Sequence, residues 1–400
     1  MSDAILGQVA LGYSPFIDRN RAVTATRLTV FPLKPDATLD AGQLLQAVAG
    51  VWPADGARVS LNVASESLLH DLLAAEPATN VMIEVPAFIA AEAANVEAIQ
   101  SLHKHGNTLL LKGRPLKELP REVLPCFKYS IIELADDRRT SEGANTPGSA
   151  MRTIPHVQQG VTSIAEMEAC FTRGAAAVLG WPIDDVLTHS TATGKPAGQT
   201  DLQVIVELIN RVDKQEPIEK LEGTLKRDPS LAFKLMRYIN SPAFGLSVEI
   251  SSFQHAIMML GYQRLKRWLA LLLATASKDT NLKPVMFAAV RRGLLMEELV
   301  RSSGDDEMRN EMFICGVFSL LDRMFKQPFS DLLRTIPVPQ RVYQALVENG
   351  GPYHPYFELV KAIEAESLFD FRGAADNLMM SVSEINRAEL RALTSAAQLD

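Results

Sequence analysis

The sequence predicts two domains of different class, an α/β half followed by an all-helical half, and two observations carry the prediction. Between residues 59 and 134, short β-branched and aliphatic runs alternate with longer helical stretches, the pattern of a parallel sheet or barrel. After the Ser/Thr/Gly/Pro stretch from Thr188 to Thr200, strand patterns vanish and helical ones take over. The expected domains are therefore residues 1–187, a linker at 188–200 and a helical domain at 201–400.

In the first half, Val59 to Val63, Val81 to Val85, Thr108 to Leu111 and Tyr129 to Leu134 read as buried strands. Helices are expected at Ala41 to Val51, Glu66 to Ala75 and Ala87 to His105. A later one runs from Ser163 to Arg173 and opens on a capping-box pattern, Ser163-Ile164-Ala165-Glu166. Residues 136–149 are polar and turn-rich, which predicts an exposed loop. A barrel of eight strands commonly needs about 250 residues, so this half is expected to form a reduced or incomplete barrel.

In the second half the most informative stretch runs from Arg227 to Gly261. Asp228 can cap a helix whose first position is Pro229, because that position's missing N–H would be unpaired anyway. Leu231, Leu235 and Ile239 form an apolar stripe, and Ser241-Pro242 ends the helix after Asn240. Ser251 or Ser252 can cap the next helix, and Gly261 permits a left-handed stop before a third. Residues 349–355 read as an interhelical loop, and Ser383 to Ala397 as an amphipathic helix.

The ordered residues from Asp228 to Gly245 and from Ser251 to Ala274 resemble the HDOD domain, an all-helical bacterial signalling module related to metal-dependent HD phosphohydrolases. The resemblance covers about residues 201–380. Active HD enzymes need a His-Asp doublet with further His and Asp ligands, since imidazole and carboxylate must hold the metals that activate water. At the doublet's place this chain reads Gly316 to Asp322 and supplies neither ligand, so the resemblance implies no catalysis here.

The α/β half resembles, more faintly, the EAL family of barrel phosphodiesterases that cleave cyclic di-GMP. Leu11 to Asp18 is similar to that family's opening strand, Val59 to Val63 to its asparagine strand, Met82 to Pro86 to its glutamate strand and Gly174 to Pro182 to its closing strand. The family's chemistry requires carboxylates clustered at strand C-termini around divalent cations. The resemblance places the Glu-Ala-Leu signature at Ala25 to Leu28, where no acid stands, and the Asp-Asp pair at Lys112-Gly113-Arg114. Ile132 and Glu133 occupy the place of the catalytic lysine, and Gln159-Gly160-Val161 that of the Glu-Gly-Val segment. Asn62 and Glu84 alone keep ligand-type side chains, too few for two metals, and are read as relics hydrogen-bonded at strand ends.

Charge and composition narrow the role. The chain carries 40 basic and 47 acidic side chains, a net charge of −7, divided 15 to 21 over residues 1–190 and 25 to 26 over the rest. Neither half offers the concentrated positive face that nucleic-acid binding needs. Cys126, Cys170 and Cys315 are few and far apart, which suits buried thiols in a reducing compartment. No secretory leader or membrane span is evident, so a cytoplasmic location is expected. His103 and His105 read as surface residues at a helix end. Together the readings give a non-catalytic signalling protein without cofactor or metal, acting on other signalling proteins. Binding of cyclic di-GMP or another nucleotide, residual phosphodiesterase activity and homo-oligomerisation stay open as alternatives. Asp228, Pro229, Asn240, Ser241, Pro242 and Gly261 are expected to shape a scaffold or a partner surface.

Overall fold

The computed structural model describes residues 4–397 except 35–36, 53–57, 77, 138–153, 185–198, 226–228, 241–249, 251 and 278. Two compact units emerge. One joins Met1–Asp185 to Lys361–Leu390, and the other joins Val186–Val360 to Arg391–Asp400. The domain limits expected from sequence put residues 361–390 with the helical half; they pack instead with the first unit. The linker at 188–200 and the loop at 136–149 fall almost wholly outside the described residues.

The first unit contains a closed barrel of eight strands, so the expected reduction is corrected. The strands are β1 (Val9–Asp18), β2 (Val23–Pro32), β3 (Arg58–Val63), β4 (Val81–Pro86), β5 (Thr108–Lys112), β6 (Phe127–Glu133), β7 (His156–Val161) and β8 (Ala177–Gly180). Strand β1 runs antiparallel to both of its neighbours, β2 and β8, and every other pairing is parallel. Closure within so short a chain is possible because several connections are minimal. A tight turn joins β1 to β2, with the Asp18 carboxylate accepting from the Asn20 and Ala22 N–H groups at 2.8 and 2.9 Å. Between β5 and β6 the chain makes only a 3₁₀ turn, Leu124–Cys126.

The barrel helices are short and capped where the sequence signals it. Helices α1 (Ala41–Ala49) and α2 (Glu66–Leu73) start beneath the side chains of Asp40 and Ser65. The single helix expected from Ala87 to His105 is split into α3 (Ala87–Ala90) and α4 (Val96–Lys104). Buried Asn95 explains the break, because its amide donates to the Ile89 carbonyl and the Glu92 carboxylate instead of leaving them to a helix. Helix α5 (Ile164–Thr172) has the reciprocal Ser163–Glu166 capping box. The closing pair β7 and β8 requires Gly180, where φ is +142° and a Cβ would stand 2.3 Å from the Val161 carbonyl oxygen.

Alternation along the strands sorts the barrel interior into two layers. Phe16, Ala25, Met82, Leu110, Ile131, Val157 and Leu179 make one apolar layer. Two residues further on β2, β4, β5 and β6 stand Arg27, Glu84, Lys112 and Glu133, and two residues back on antiparallel β1 stands Ser14. The second layer lies toward the C-terminal ends of the parallel strands, the end where barrels of this class place their chemistry.

The second unit is helical throughout its described residues: α6 (Gln199–Asp213), α7 (Ile218–Leu225), α8 (Pro229–Ile239), α9 (Phe253–Thr275), α10 (Lys283–Leu299), α11 (Asp306–Phe318), α12 (Leu321–Phe325), α13 (Phe329–Thr335) and α14 (Gln340–Leu346). It is followed along the chain by α15 (His354–Glu364), α16 (Leu368–Leu378) and α17 (Val382–Ala397). Helices α10 and α11 cross closely at Gly293 and Gly316. A Cβ on Gly316 would meet the Arg292 carbonyl oxygen at 2.4 Å, and one on Gly293 would meet Val317 at the same distance. No helix among the described residues is long and apolar enough to cross a membrane.

Candidate functional site

The polar layer of the barrel mouth is a connected set of ion pairs and hydrogen bonds. Arg27 and Glu84 lie side by side on the interior, both 1% exposed, with a guanidinium nitrogen 2.8 Å from Glu84 Oε2. Ser60 donates to the other carboxylate oxygen at 3.0 Å. Glu84 therefore faces a cation and a hydroxyl, which supply the charge and the hydrogen bond that a buried carboxylate needs.

Asn62 belongs to a second chain of bonds with a fixed direction. The Lys112 ammonium donates to Asn62 Oδ1 at 2.6 Å, the Asn62 amide donates to Thr29 Oγ1 at 3.0 Å, and the Thr29 hydroxyl donates to Glu366 Oε1 at 2.6 Å. Ser14 donates to the same Glu366 oxygen at 2.9 Å. The other Glu366 oxygen is 4.0 Å from Arg27 Nη1. Each neutral group thus accepts on its cationic side and donates on its anionic side, so the dipoles add along the chain.

Glu366 comes from the C-terminal segment, between α15 and α16, with φ +52°. Its approach depends on residue 12 being glycine, since a Cβ there would lie 3.1 Å from Glu366 Cα. Asn386, on α17, anchors the same segment to the start of β1. Its amide donates to the Leu6 and Val9 carbonyls at 2.7 Å each, and its oxygen accepts from the Leu11 N–H at 3.2 Å.

The charges leave marks on proton affinity. Burial, assisted by the Arg27 charge, lowers the Lys112 pKa, against the opposing pull of Glu84, Glu366 and Glu133. Burial raises that of Glu133, with Arg27 and Lys112 pulling the other way. The mouth thus mixes charges: cations stand at 27 and 112, and carboxylates at 84, 133 and 366. Among the described residues no group of three or more His, Cys, Asp or Glu is placed to hold a metal ion.

In the helical unit, Asn240 pairs with Ile250: its amide donates to the Ile250 carbonyl at 2.8 Å and its oxygen accepts from the Ile250 N–H at 2.7 Å. Ser252 caps α9, and within that helical run Gly261 departs from helical geometry at φ +71°, ψ +170°. Pro229 opens α8. Asp228, Ser241 and Pro242 lie outside the described residues. Residues 200–325 match the HDOD domain family. The chain contains an HDOD domain.

Beyond the HDOD match, the chain is 32% identical over 168 residues to YuxH of Bacillus subtilis, 40% of each protein. It is 26% identical over 145 residues to the cyclic di-GMP phosphodiesterase CdgJ of Vibrio cholerae, covering 36% of this chain and 34% of CdgJ. The matched stretches thus span two fifths or less of those relatives. Among solved structures, the EAL enzyme Bd1971 in its cGMP-bound form aligns at a TM-score of 0.31 and 13% identity, over 45% of this chain and 63% of that one.

Sequence reasoning singled out Asn62 and Glu84, and the barrel brings both into the mouth with the partners described above. It also marked positions 27, 112 and 133 as altered, but Ser14, Thr29 and Ser60 were not singled out. Glu366 was missed entirely. It is 337 residues from Thr29 along the chain, and no periodicity or motif links the two. His103 and His105 are exposed, and Cys126, Cys170 and Cys315 are buried free thiols.

Proposed function

We propose that this chain is a signalling protein of cyclic di-GMP circuits that acts by binding other signalling proteins in the cytoplasm and not by hydrolysis. The likeness to CdgJ, a named cyclic di-GMP phosphodiesterase, and the HDOD domain support the circuit. The pair Arg27 and Lys112 supports the loss of catalysis. A two-metal phosphodiesterase needs carboxylates at the strand ends to offset about four positive charges, and two cations there oppose metal binding. Glu84 is also committed to Arg27 and Ser60.

Incubation of the full chain with cyclic di-GMP and Mg²⁺ or Mn²⁺ should leave the nucleotide intact by chromatography. Hydrolysis abolished by Glu84→Ala would overturn the reading. A nucleotide-sensing version is favoured by one observation, the cationic and hydroxyl-rich lining of the mouth. Calorimetric titration with cyclic di-GMP separates the two versions: heat that saturates at micromolar nucleotide supports sensing, and none at high micromolar removes it.

A further inference from the structure

We infer that the barrel mouth is a binding site for one oxyanion, and that its resident ligand is the chain's own Glu366 carboxylate. The inference goes beyond the proposed function and does not depend on whether the barrel takes cyclic di-GMP.

The receiving groups are built into the strands and desolvated: Arg27 is 1% exposed, Thr29 3% and Ser14 7%. They come from two neighbouring strands; Ser14 and Thr29 donate hydrogen bonds to the same carboxylate oxygen, and Arg27 lies 4.0 Å from the other. Arg27 Nε is buried with no hydrogen-bond partner, so the guanidinium keeps donor capacity that Glu84 does not use. The relay from Lys112 through Asn62 orients one of these donors, the Thr29 hydroxyl, toward that carboxylate. A buried guanidinium beside two hydroxyl donors is the chemistry that recognises a carboxylate or a phosphate oxygen.

The occupant, by contrast, is not part of the strand framework. Glu366 is carried on a turn with a left-handed backbone angle, and its side chain is 21% exposed. An external anion can take the site only by displacing the Glu366 carboxylate from Ser14 and Thr29. The turn works as a tethered competitor that sets the affinity for any free ligand.

Chemical rescue in the full chain tests this. Glu366→Ala removes the carboxylate and leaves Ser14, Thr29 and Arg27 in place. Its melting temperature should fall below that of the unsubstituted chain. Sodium formate at tens of millimolar should then raise it by about 2–4 °C over sodium chloride of equal ionic strength, the shift expected from roughly 1 kcal/mol of ligand binding. The unsubstituted chain should show no formate-specific shift, and adding Thr29→Val to Glu366→Ala should abolish the rescue. Equal effects of formate and chloride on Glu366→Ala would overturn the inference, as would an equal formate response of the unsubstituted chain. Glu366→Gln serves should the alanine variant fail to fold. It fills the space without the charge, so it should melt lower than the unsubstituted chain and ignore formate. A Gln variant as stable as the unsubstituted chain would show that the site needs no anion and would sink the proposal.

Discussion

Truncating Glu84 to alanine leaves the Arg27 guanidinium charged in the barrel interior with its 2.8 Å partner gone. Removing one member of a buried pair is costly where replacing both is not. Glu84→Ala should therefore lower unfolding free energy by about 3–5 kcal/mol in urea titration, while the double replacement Arg27→Met, Glu84→Leu should recover most of that loss. Legibility at this scale is uneven for a physical reason. That cations stand at 27 and 112 can be read from the sequence. What those cations do can be read only once the barrel closes, because Arg27 and Glu84 are 57 residues apart and meet across strands. Cys315 gives a second test. Burial pushes its thiol up to about 12 from an ordinary 9.0. Between those pH values the unfolded chain releases a proton that the folded chain keeps, so this group lowers stability as pH rises above about 9. At pH 8 in native buffer Cys315 should resist a thiol reagent that labels it fully in denaturant.

Elements with strong local signals were readable. Strands β3 to β6 show as apolar runs, α5 by its capping box, and α8 with the start of α9 by proline, serine and apolar spacing. Strands β2 and β7 were harder, because Thr26, Arg27 and Thr29 interrupt the first and Gln158 and Gln159 the second. Both faces of these strands are buried, so alternation no longer separates core from solvent. Ending before the linker at Thr188, against about 250 residues for a common eight-stranded barrel, the half also looked too short to close. The docking of α16 and α17 on the barrel could not be read at all, since Asn386 reaches Leu6, Val9 and Leu11 across more than 370 residues. Asn386→Ala strands two buried carbonyls and one N–H. At about 1–3 kcal/mol for an unsatisfied buried group, less what water recovers, it should cost about 2–4 kcal/mol and selectively raise hydrogen exchange at the start of β1. In the helical unit, Gly316→Ala must push α11 away from Arg292. It should destabilise by about 1–3 kcal/mol, seen as a lower melting temperature, whereas alanine at Gly304, where space is open but φ is +69°, pays only for backbone strain of about 1 kcal/mol.

At the scale of the whole molecule the sequence predicted the right pair of classes, a barrel and an HDOD helical unit. It missed that residues 361–390 belong with the barrel unit, and that exchange matters most for function. It puts a carboxylate from beyond the HDOD match into the barrel mouth, beside Ser14, Thr29 and Arg27. The account therefore predicts a barrel whose mouth recognises an anion and does not cleave one. The most direct test is to incubate the purified full chain with cyclic di-GMP and Mg²⁺ or Mn²⁺ and follow the nucleotide by chromatography. The account predicts unchanged nucleotide over hours, for the chain as it stands and for Glu366→Ala alike. Metal-dependent formation of the linear dinucleotide that disappears with Glu84→Ala would contradict it.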